Sequence, residues 1–501
     1  MRWIPIAAVV LVLTSCGSDG QPSWRDLGAK CATPRTGIDP FTNRPYPDRQ
    51  GTLDDEKKWL RVWTDDLYLW YDEVPAVDPA LPTATDYFDQ LKTFAITSSG
   101  KFKDRFHFWY PTDYWEKLST SGTDVGYGTT LIAVPPCSTC DPSTKPPREY
   151  RVGYNEPNSP AALAGMNRGA RILWVDDVDL VNASDKTSLG ILNAGLFPAK
   201  AGEQHKFVFE DFGTNVQHTM TLTSASITIA PVPDVHTITV GSDKVGYMLF
   251  NDHLATAEKA LVDAINQLKA EGVKDLILDV RYNGGGYLDI ASELAYMIAG
   301  PNATSGRTFE RLTFNSKHPS TDPVTDRALA PTPFYPQGSG LSVPRGTPLP
   351  SLDLSRVFVL TGSGTCSASE SILNGLQGVN IQVIQIGRTT CGKPYGFYTF
   401  DNCGTTYFSI QFKGVNAMGF GDYPDGFTPG AATPGSFAGC VVVDDFAHAL
   451  GDAAEGRLAA ALVYRNSPTC PAQPTRALRA ALPQEGVVLK SPWRQNRIVQ
   501  P

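Results

Sequence analysis

Apolar residues recur at intervals of three and four in the stretch DDEKKWLRVWTDDLYLWYDEVP, near the amino-terminal end of the chain. The positions with this spacing are Trp59, Val62, Trp63, Leu67 and Trp70. A period close to 3.6 predicts an amphipathic helix whose apolar face is buried. We therefore predict an N-terminal helical domain over residues 31–118, in which these aromatic side chains form core rather than a ligand-binding box.

A different pattern runs from residue 231 to residue 475, where short β-branched runs alternate with helical spacing. The runs are VGYMLF, DLILDVR, RVFVLTG and IQVIQIG, and YLDIASELAYMIAG and SASESILNGLQG lie between them. Strands that alternate with helices predict an α/β domain. Residues 316–352 are rich in Pro, Ser and Thr, and a loop of that length inside a compact domain is more often a lid or substrate flap than a linker.

Between these regions, residues 119–230 have the pattern of short strands around one helix. The stretch VGYNEPNSPAALAGMNRGARILWVDDVDL resembles a bacterial PDZ domain. The matching residues are Ser159, Pro160, Ala161, Ala164, Gly165, Gly169, Ile172 and Val175, whereas Ala170 replaces the usual aspartate. The resemblance implies that a peptide adds as a strand to the segment DVGYGTTLIAV. Its carboxylate would be held by backbone N–H groups of the loop Gly126, Tyr127 and Gly128.

The first residues, MRWIPIAAVVLVLTSC, combine one basic residue, a short apolar run and small residues before Cys16. The run is too short to span a bilayer as a mature helix and is typical of a secretory signal. LTSC resembles the lipobox of bacterial lipoproteins, in which the cysteine is acylated. We expect a signal peptide over 1–15, lipidation at Cys16 and a tether over 16–30, with an ordinary cleaved signal as the alternative. Because Gly17 is not the aspartate associated with inner-membrane retention, we expect the periplasmic face of the outer membrane.

Length and charge narrow the class of protein. A chain of 501 residues is too long for one core, so we expect several domains, with residues 476–501 as a C-terminal tail. Hydrophobic content of 42%, charged content of 19% and a net charge of -8 are typical of a globular protein with a mildly acidic surface. Nucleic-acid binding would need clustered Lys and Arg, which the chain lacks.

If Cys16 carries lipid, eight cysteines remain, and an even number in an exported chain suggests disulfides. Cys137 and Cys140 form a CxxC in a Pro-rich loop, and zinc would need a second pair at matching spacing that the sequence does not contain. We therefore predict a loop-closing disulfide there and no metal site. Cys391 and Cys403 flank a predicted hairpin and could pair, but sequence alone leaves the connectivity open.

The stretch TCSASESILNGL, residues 365–376, admits two interpretations of Ser367. Ser367 with Glu370 three residues later fits a capping box at a helix start. A nucleophile is also favoured at a helix N-terminus, so a cap and a nucleophile would occupy the same position. The choice between them depends on the motifs elsewhere in the chain.

Two further motifs favour the nucleophile. LDVRYNGGG, residues 278–286, follows one apolar strand, and RTTCGKPYG, residues 388–396, follows another. In this order the three motifs resemble the carboxyl-terminal processing peptidases, also called tail-specific proteases. The matching residues are Asp279, Arg281, Asn283, Gly285, Gly286, Ser367, Ala368, Ser369, Glu370, Gly392 and Lys393. The resemblance implies a multidomain α/β protein with a core of the ClpP/crotonase type, a Ser367 nucleophile and a Lys393 base.

The chemistry of such a pair is physically sensible. A serine hydroxyl attacks an amide carbonyl only if a base takes its proton, and a neutral lysine can be that base. From a free pKa of about 10.4, the lysine pKa would have to fall by about three units, which burial can supply. The tetrahedral oxyanion needs two donors, for which Gly284, Gly285 and Ala368 are the candidates. Ser369 is then the serine without a catalytic role.

The sequence departs from the family pattern in two ways. Lys393 follows Ser367 by 26 residues, one more than usual, and Phe397 occupies a position where members often have a glutamine that orients the lysine. Glu370 is the candidate to orient Lys393 instead. His253, at a predicted strand end, is the alternative base, although it shares no motif with Ser367.

These observations predict an exported, lipid-anchored serine endopeptidase that needs no metal or organic cofactor. Its partners would be protein or peptide substrates with free C-termini, and the membrane through the N-terminal lipid. The alternative from another class is a non-catalytic peptide-binding lipoprotein that uses its PDZ domain to hold partners.

Overall fold

The computed structural model describes residues 22–134, 146–470 and 486–489. The predicted signal peptide, Cys16, Cys137 and Cys140 lie outside the described residues. The helices are α1 (Trp24–Leu27), α2 (Leu53–Leu67), α3 (Ala84–Asp89), α4 (Thr112–Ser121), α5 (Pro160–Leu163), α6 (Lys186–Leu196), α7 (Ala257–Glu271), α8 (Leu288–Thr304), α9 (Ala368–Gly378) and α10 (Gly456–Asn466), with a 3₁₀ turn at Tyr71–Glu73.

The strands occupy other segments of the chain, and several follow one another without a helix between them. They are β1 (Lys30–Cys31), β2 (Ile38–Asp39), β3 (Arg44–Pro45), β4 (Arg49–Gln50), β5 (Phe108–Pro111), β6 (Thr123–Gly126), β7 (Thr129–Val134), β8 (Glu149–Asn155), β9 (Arg171–Val175), β10 (Val178–Asp179), β11 (Gln204–Glu210), β12 (Gln217–Thr223), β13 (Ala225–Thr228), β14 (Asp234–Val240), β15 (Asp243–Leu249), β16 (Asp275–Asp279), β17 (Thr308–Thr313), β18 (Thr332–Pro333), β19 (Arg356–Thr361), β20 (Gln382–Gly387), β21 (Tyr395–Gly396), β22 (Phe400–Asn402), β23 (Thr405–Phe408), β24 (Phe412–Val415), β25 (Thr428–Gly430), β26 (Ser436–Val441) and β27 (Val487–Val488).

The central sheet of the core has the order β14-β15-β16-β19-β20-β26-β25. Its first pair is antiparallel and every later pair is parallel. Strands buried on both faces have near-continuous apolar sequences, which is why DLILDVR and RVFVLTG could be assigned from sequence. Leu276 and Leu278 contribute to the cluster with α7, α8 and α9, whereas Ile277 contributes to the cluster that contains residues of α10. The predicted α/β class is confirmed.

The N-terminal region packs on this core through aromatic side chains. α2 ends at Leu67, so Trp70 lies beyond the helix that the spacing predicted. Trp59 and Trp63 are buried and stack with ring centroids 5.4 Å apart. Strand β5 pairs with β23 of the core. The predicted aromatic core is therefore shared with the residues around β22 and β23.

The β-rich region forms a sheet of order β12-β11-β9-β8-β7-β27, with β10 beside β9. Helix α6 contributes Leu189, Leu192 and Leu196 to its core. Strand β27, from the end of the chain, pairs antiparallel with the outer edge of β7. Arg168 joins this region to the core, because its guanidinium donates to Asp444 at 2.6 Å and to the hydroxyl of Tyr282 at 2.7 Å.

Three disulfides lie within the described residues: Cys31–Cys403, Cys366–Cys391 and Cys440–Cys470. Cys391 and Cys403, whose pairing the sequence left open, are therefore not bonded to each other. Both cysteines have partners that are brought near by the tertiary fold rather than by a local hairpin.

Residues 316–352 are fixed to the helices beneath them over their second half. Glu258 accepts backbone N–H groups from Gly340, Ser342 and Val343, and Glu293 accepts that of Ser339. Within the described ranges, none of the helices has the length and apolar character needed to cross a membrane.

Candidate active site

The three sequence motifs meet at one edge of the central sheet. The turn that contains Gly284 and Gly285 follows β16, Ser367 follows β19, and Lys393 follows β20. These strands are parallel neighbours, so their carboxyl ends lie side by side. Open α/β sheets bind ligands at this edge because the loops there converge. Strand order therefore explains why motifs more than a hundred residues apart form one site.

Ser367 has an unusual backbone conformation. Its φ is 56° and its ψ is -117°, and it immediately precedes α9. A serine gains nothing from a left-handed conformation, which costs about 1–3 kcal/mol and persists at sites where strain serves a function. A strained strand-to-helix turn is also how α/β hydrolases expose a nucleophilic serine. The side chain is half-buried rather than enclosed, which leaves it accessible from the cleft.

Glu370, three residues later, is completely buried beneath this turn. Its carboxylate accepts the N–H groups of Ser367 at 3.0 Å, Gly392 at 2.9 Å and Lys393 at 2.8 Å, and the hydroxyl of Thr390. Burial raises the pKa of Glu370 although these four hydrogen bonds oppose the shift. The carboxylate therefore joins the start of α9 to the segment after β20.

Lys393 lies in an aromatic environment. Its side chain is only 8% exposed. Its Nζ lies 4.3 Å from the ring centroid of Phe397 and 5.0 Å from that of Phe106. Phe397 thus contacts the amine directly from the position where a glutamine was expected. Glu370 holds the main chain of Lys393, which positions the residue through its backbone.

The glycine turn lies directly against Ser367. A Cβ placed on Gly285 would lie 2.9 Å from the backbone nitrogen of Ala368 and 2.9 Å from the Cβ of Ser367. With φ of 90°, this position favours glycine for its conformation as well as for space. The N–H of Gly285 donates to Oδ1 of Asn283 at 3.0 Å, so it is already engaged.

Two candidate oxyanion donors are available. The N–H groups of Gly284 and Ala368 have no acceptor in the part of the chain that the structure describes. Ala368 opens α9, where N–H groups have no partner within the helix. Gly284 is exposed to the cleft. Asn283 connects the glycine turn to the segment before α9. Its side chain accepts the N–H of Gly285, and its carbonyl accepts the N–H of Cys366 at 3.0 Å.

The other two polar residues considered from sequence have structural contacts. Ser369 is buried and donates to the carbonyl of Asn283 at 3.2 Å. His253 is completely buried, and its Nδ1 lies 2.9 Å from Oδ1 of Asn283. Burial lowers the pKa of His253 to about 3. A group with so low a pKa is a weak base, which disfavours His253 as the alternative to Lys393.

A disulfide connects the two halves of the site. Cys366 immediately precedes Ser367, Cys391 lies two residues before Lys393, and the two cysteines are bonded to each other. The sulfurs and a Glu370 oxygen lie within 4.8 Å of one another, a grouping that could otherwise suggest a metal site. Metals bind thiolates, and in the disulfide both sulfurs are already bonded to each other.

The site opens into a cleft of about 1410 Å³ that all three regions of the chain line. The predicted carboxylate-binding loop, Gly126 to Gly128, contributes to the same cleft. The ring of Tyr127 is buried in the core of the β-rich region, so only its backbone faces a ligand. The N–H groups of Tyr127 and Gly128 have no acceptor among the residues described.

The strand that would receive a peptide already has a neighbour. Val487 and Val488 pair with Ala133 and Ile132 on the outer edge of β7, and the Leu489 N–H donates to the carbonyl of Leu131 at 2.8 Å. This is the edge that strand addition would use. This contact could not be predicted from sequence, because two adjacent valines indicate no particular partner strand.

Known proteins resemble the segment that contains these motifs. The profile described as Peptidase family S41 matches residues 244–400, which contain all three motifs. This chain carries a peptidase family S41 domain. Among curated proteins, it is 26% identical over 277 residues to a carboxyl-terminal-processing protease from Picosynechococcus sp., which covers 55% of this chain and 56% of the relative. It is 28% identical over 238 residues to a carboxyl-terminal-processing protease from Synechocystis sp., which covers 47% of each chain.

The S41 fold extends beyond the matched segment. A Bacteroides fragilis protein described as an S41 protease is 21% identical and superposes with a TM-score of 0.58, covering 85% of this chain and 98% of the other. At that identity the likeness concerns the fold alone. The chain spans about half the length of the curated relatives it matches.

Proposed function

We propose that this protein is a serine endopeptidase in which Ser367 is the nucleophile and Lys393 the general base. The observation that carries the proposal is the left-handed conformation of Ser367 at the start of α9, directly against the glycine turn. A helix cap alone does not need that strain. The S41 domain supports the same assignment, because all the proposed residues lie within it.

The reaction follows from these positions. The Lys393 amine accepts the Ser367 hydroxyl proton while Oγ forms a bond to the substrate carbonyl carbon. The carbonyl π electrons move to oxygen, where the N–H groups of Gly284 and Ala368 stabilise the charge. When the C–N bond breaks, Lys393 returns the proton to the leaving amine. Water then attacks the resulting ester while Lys393 takes its proton. The bond between the acyl carbon and Ser367 Oγ breaks, Lys393 returns the proton to Oγ, and the acid is released.

Substitution of Lys393 tests this role. Lys393→Arg should be as inactive as Lys393→Ala, because a guanidinium stays protonated and cannot accept a proton. Each rate would be measured on a fluorogenic peptide with Ser367→Ala as background. Activity of the wild type should also rise with pH through the pKa of the base. Substantial activity of the arginine variant would overturn the assignment and make His253→Ala the next variant to measure.

We also propose that the β-rich region is a PDZ domain that selects substrates by their C-terminal tails. The unused N–H groups of Tyr127 and Gly128 support this, because a cradle of such donors suits a carboxylate. The loop faces the cleft that contains Ser367, so a bound tail would lie close to the nucleophile.

Blocking the substrate carboxylate tests the tail selection. An unfolded protein that ends in small apolar residues should be degraded about tenfold faster at low concentration than the same chain with an amidated end. Equal rates would leave a serine peptidase without tail selection. A purely binding protein, the alternative function, would instead bind both chains and cleave neither.

The location is a separate proposal. We propose that Cys16 is acylated and anchors the protein to the periplasmic face of the outer membrane. The disulfides in the described part of the chain are typical of exported proteins and support export. Cys16→Ala should move the protein from the membrane to the soluble fraction, and mass spectrometry of the amino terminus should find lipid. An unmodified, cleaved amino terminus would contradict the anchor.

A further inference from the structure

Glu310 is a second buried carboxyl group beside helix α9, and the reaction does not use it. It lies on β17 and is 5% exposed. The hydroxyl of Ser371 donates to its Oε1 at 3.5 Å, the limit of a hydrogen bond. Within the described ranges it has no other hydrogen bond and no ion pair. A carboxyl group buried with so few partners is costly, so a purely structural role explains it poorly.

The Glu310 carboxyl group occupies space that a side chain at position 414 would fill. Gly414 on β24 lies against it, and a Cβ at that position would lie 1.8 Å from Oε1. Leu312 is two residues further along β17, on the same face, and pairs with Gly414 across the sheet. Leu312 and Phe412 line the cleft together with Glu310. We call this part of the cleft, where Leu312 and Phe412 adjoin the carboxyl group, the Glu310 pocket.

This pocket lies next to the nucleophile. Ser371 follows Ser367 by four residues, and its N–H donates to the carbonyl of Ser367 at 2.9 Å, so the two residues are one helical turn apart. Both serines line the cleft. The carboxyl group is thus roughly one helical turn beyond the reacting atom, a distance that an extended lysine or arginine side chain spans while its backbone stays at Ser367.

On the basis of the proposed peptidase function, we propose that Glu310 is a specificity-determining residue that binds a lysine or arginine on the amino side of the scissile bond. The aliphatic part of such a side chain would contact Leu312 and Phe412, and its cation would pair with the carboxylate. Apolar walls with one charged end suit amphipathic side chains.

The protonation of Glu310 is consistent with a role that needs a substrate. Burial raises the pKa of Glu310 to about 8. The side chains that face it from neighbouring elements are Ser371 of α9 and Tyr423 of the segment after β24, and neither is a cation. An entering ammonium or guanidinium group favours the ionised carboxylate, so it would displace a proton.

Binding to an inactive enzyme tests the proposal without any turnover. Full-length Ser367→Ala would be titrated with peptides that share one free C-terminus and differ at a single position, occupied by Lys, Arg, Gln or Leu. The Lys and Arg peptides should bind at least about tenfold more tightly than the Gln and Leu peptides. Glu310→Gln in the same background should remove that preference. Glu293→Gln is the matched control, because Glu293 is also buried but does not line the cleft.

Cleavage of the same peptides separates this proposal from the peptidase proposal. The wild type should favour Lys and Arg in kcat/KM, whereas Glu310→Gln should cleave the Gln and Leu peptides and lose the preference. Turnover or binding that is equal for all four peptides would overturn the role of Glu310 and leave the peptidase intact. A binding preference without turnover by the wild type would support the pocket and overturn the Ser367 chemistry.

Discussion

Two buried glutamates at helix α9 have opposite surroundings. Glu370, on the helix, accepts four hydrogen bonds from Ser367, Thr390, Gly392 and Lys393. Glu310, on β17, accepts one long hydrogen bond. Burial raises the pKa of both groups, so burial alone does not distinguish them. The difference lies in the donors that the fold supplies.

That difference indicates different roles. A carboxylate that the protein satisfies completely holds its donors in place, and here the donors belong to both halves of the proposed dyad. A carboxyl group that the protein leaves nearly unsatisfied can interact with something that arrives from outside. We therefore treat Glu370 as a positioning residue and Glu310 as a substrate contact.

The largest expected effect comes from Glu370. Glu370→Gln puts an amide N–H₂ where backbone N–H groups point, so two acceptor sites are lost and the segment around Lys393 moves. A displacement of about 1 Å can cost about a hundredfold in rate, and we expect at least that loss in kcat on a fluorogenic peptide. KM should change little if substrate binding is intact. Activity near wild type would show that the four hydrogen bonds do not position the dyad.

The sequence was sufficient to predict that Ser367, Lys393 and the glycine turn lie together at one site. Each motif follows an apolar run, and parallel strands bring their carboxyl ends together, so the sequence alone predicts that the motifs converge. Glu310 could not be found in this way. It lies in TFERLT, where an isolated glutamate predicts an exposed position, and only the packing of β17 against α9 reveals its burial.

The same limit applies to long-range pairs. Cys31 and Cys403 are 372 residues apart. Their pairing follows from the packing of the segment before β1 on β22, where the Ala29 N–H donates to Oδ1 of Asn402 at 2.8 Å, rather than from spacing. The network of Arg168, Tyr282 and Asp444 joins two regions that have no sequence pattern in common. The motif residue Arg281 also contacts Asp444, at 3.0 Å, so part of that motif holds regions together.

The disulfide Cys366–Cys391 should have a smaller effect than Glu370. It holds the same two segments that Glu370 joins, but the four hydrogen bonds remain when it is removed. The double variant Cys366→Ala/Cys391→Ala should stay folded and lose about tenfold in kcat. Cys440→Ala/Cys470→Ala is the matched control, because that disulfide lies at β26 and after α10. Equal losses in both double variants would indicate a general stability effect instead.

The pH dependence of stability tests the raised pKa of Glu310. The pKa of Glu310 is raised to about 8 in the folded protein, whereas an unfolded glutamate titrates near 4.3. Between these values the unfolded state loses a proton that the folded state keeps, so stability falls as pH rises through this window. Glu310→Gln should remove this contribution and flatten the decline in Tm by several degrees between about pH 5 and pH 8.

The difference between the two melting curves isolates Glu310, because Glu156 and Glu293, whose pKa values burial raises to about 7, titrate in both proteins. Ser371 and Tyr423, which face Glu310, are present in both as well. Parallel curves would mean that Glu310 is ionised in the folded protein at neutral pH. The proposal that it binds cations would survive that result, but the proton displacement would not.

The outer edge of β7 allows a similar comparison, between backbone groups that already have a partner and backbone groups that are open to a ligand. The variants that test this edge have the smallest expected effect. The backbone of its outer edge is already paired with Val487 and Val488. If substrate tails add to that edge, they must displace the chain's own segment. Their apparent affinity is then the intrinsic affinity multiplied by the fraction of molecules in which the edge is open. Leu489 holds the segment, since its side chain is 8% exposed within the core of the β-rich region.

Leu489→Asp should release the segment, because a buried aspartate without partners is costly. Cleavage of a tail-dependent substrate at low concentration should then rise about twofold to fivefold through KM, with kcat unchanged. Val487→Asp is the matched control, because its side chain is 46% exposed and the same charge there should leave the pairing intact. If both variants cleave at the wild-type rate, tails do not compete with this segment, and strand addition to β7 is not the route by which they bind.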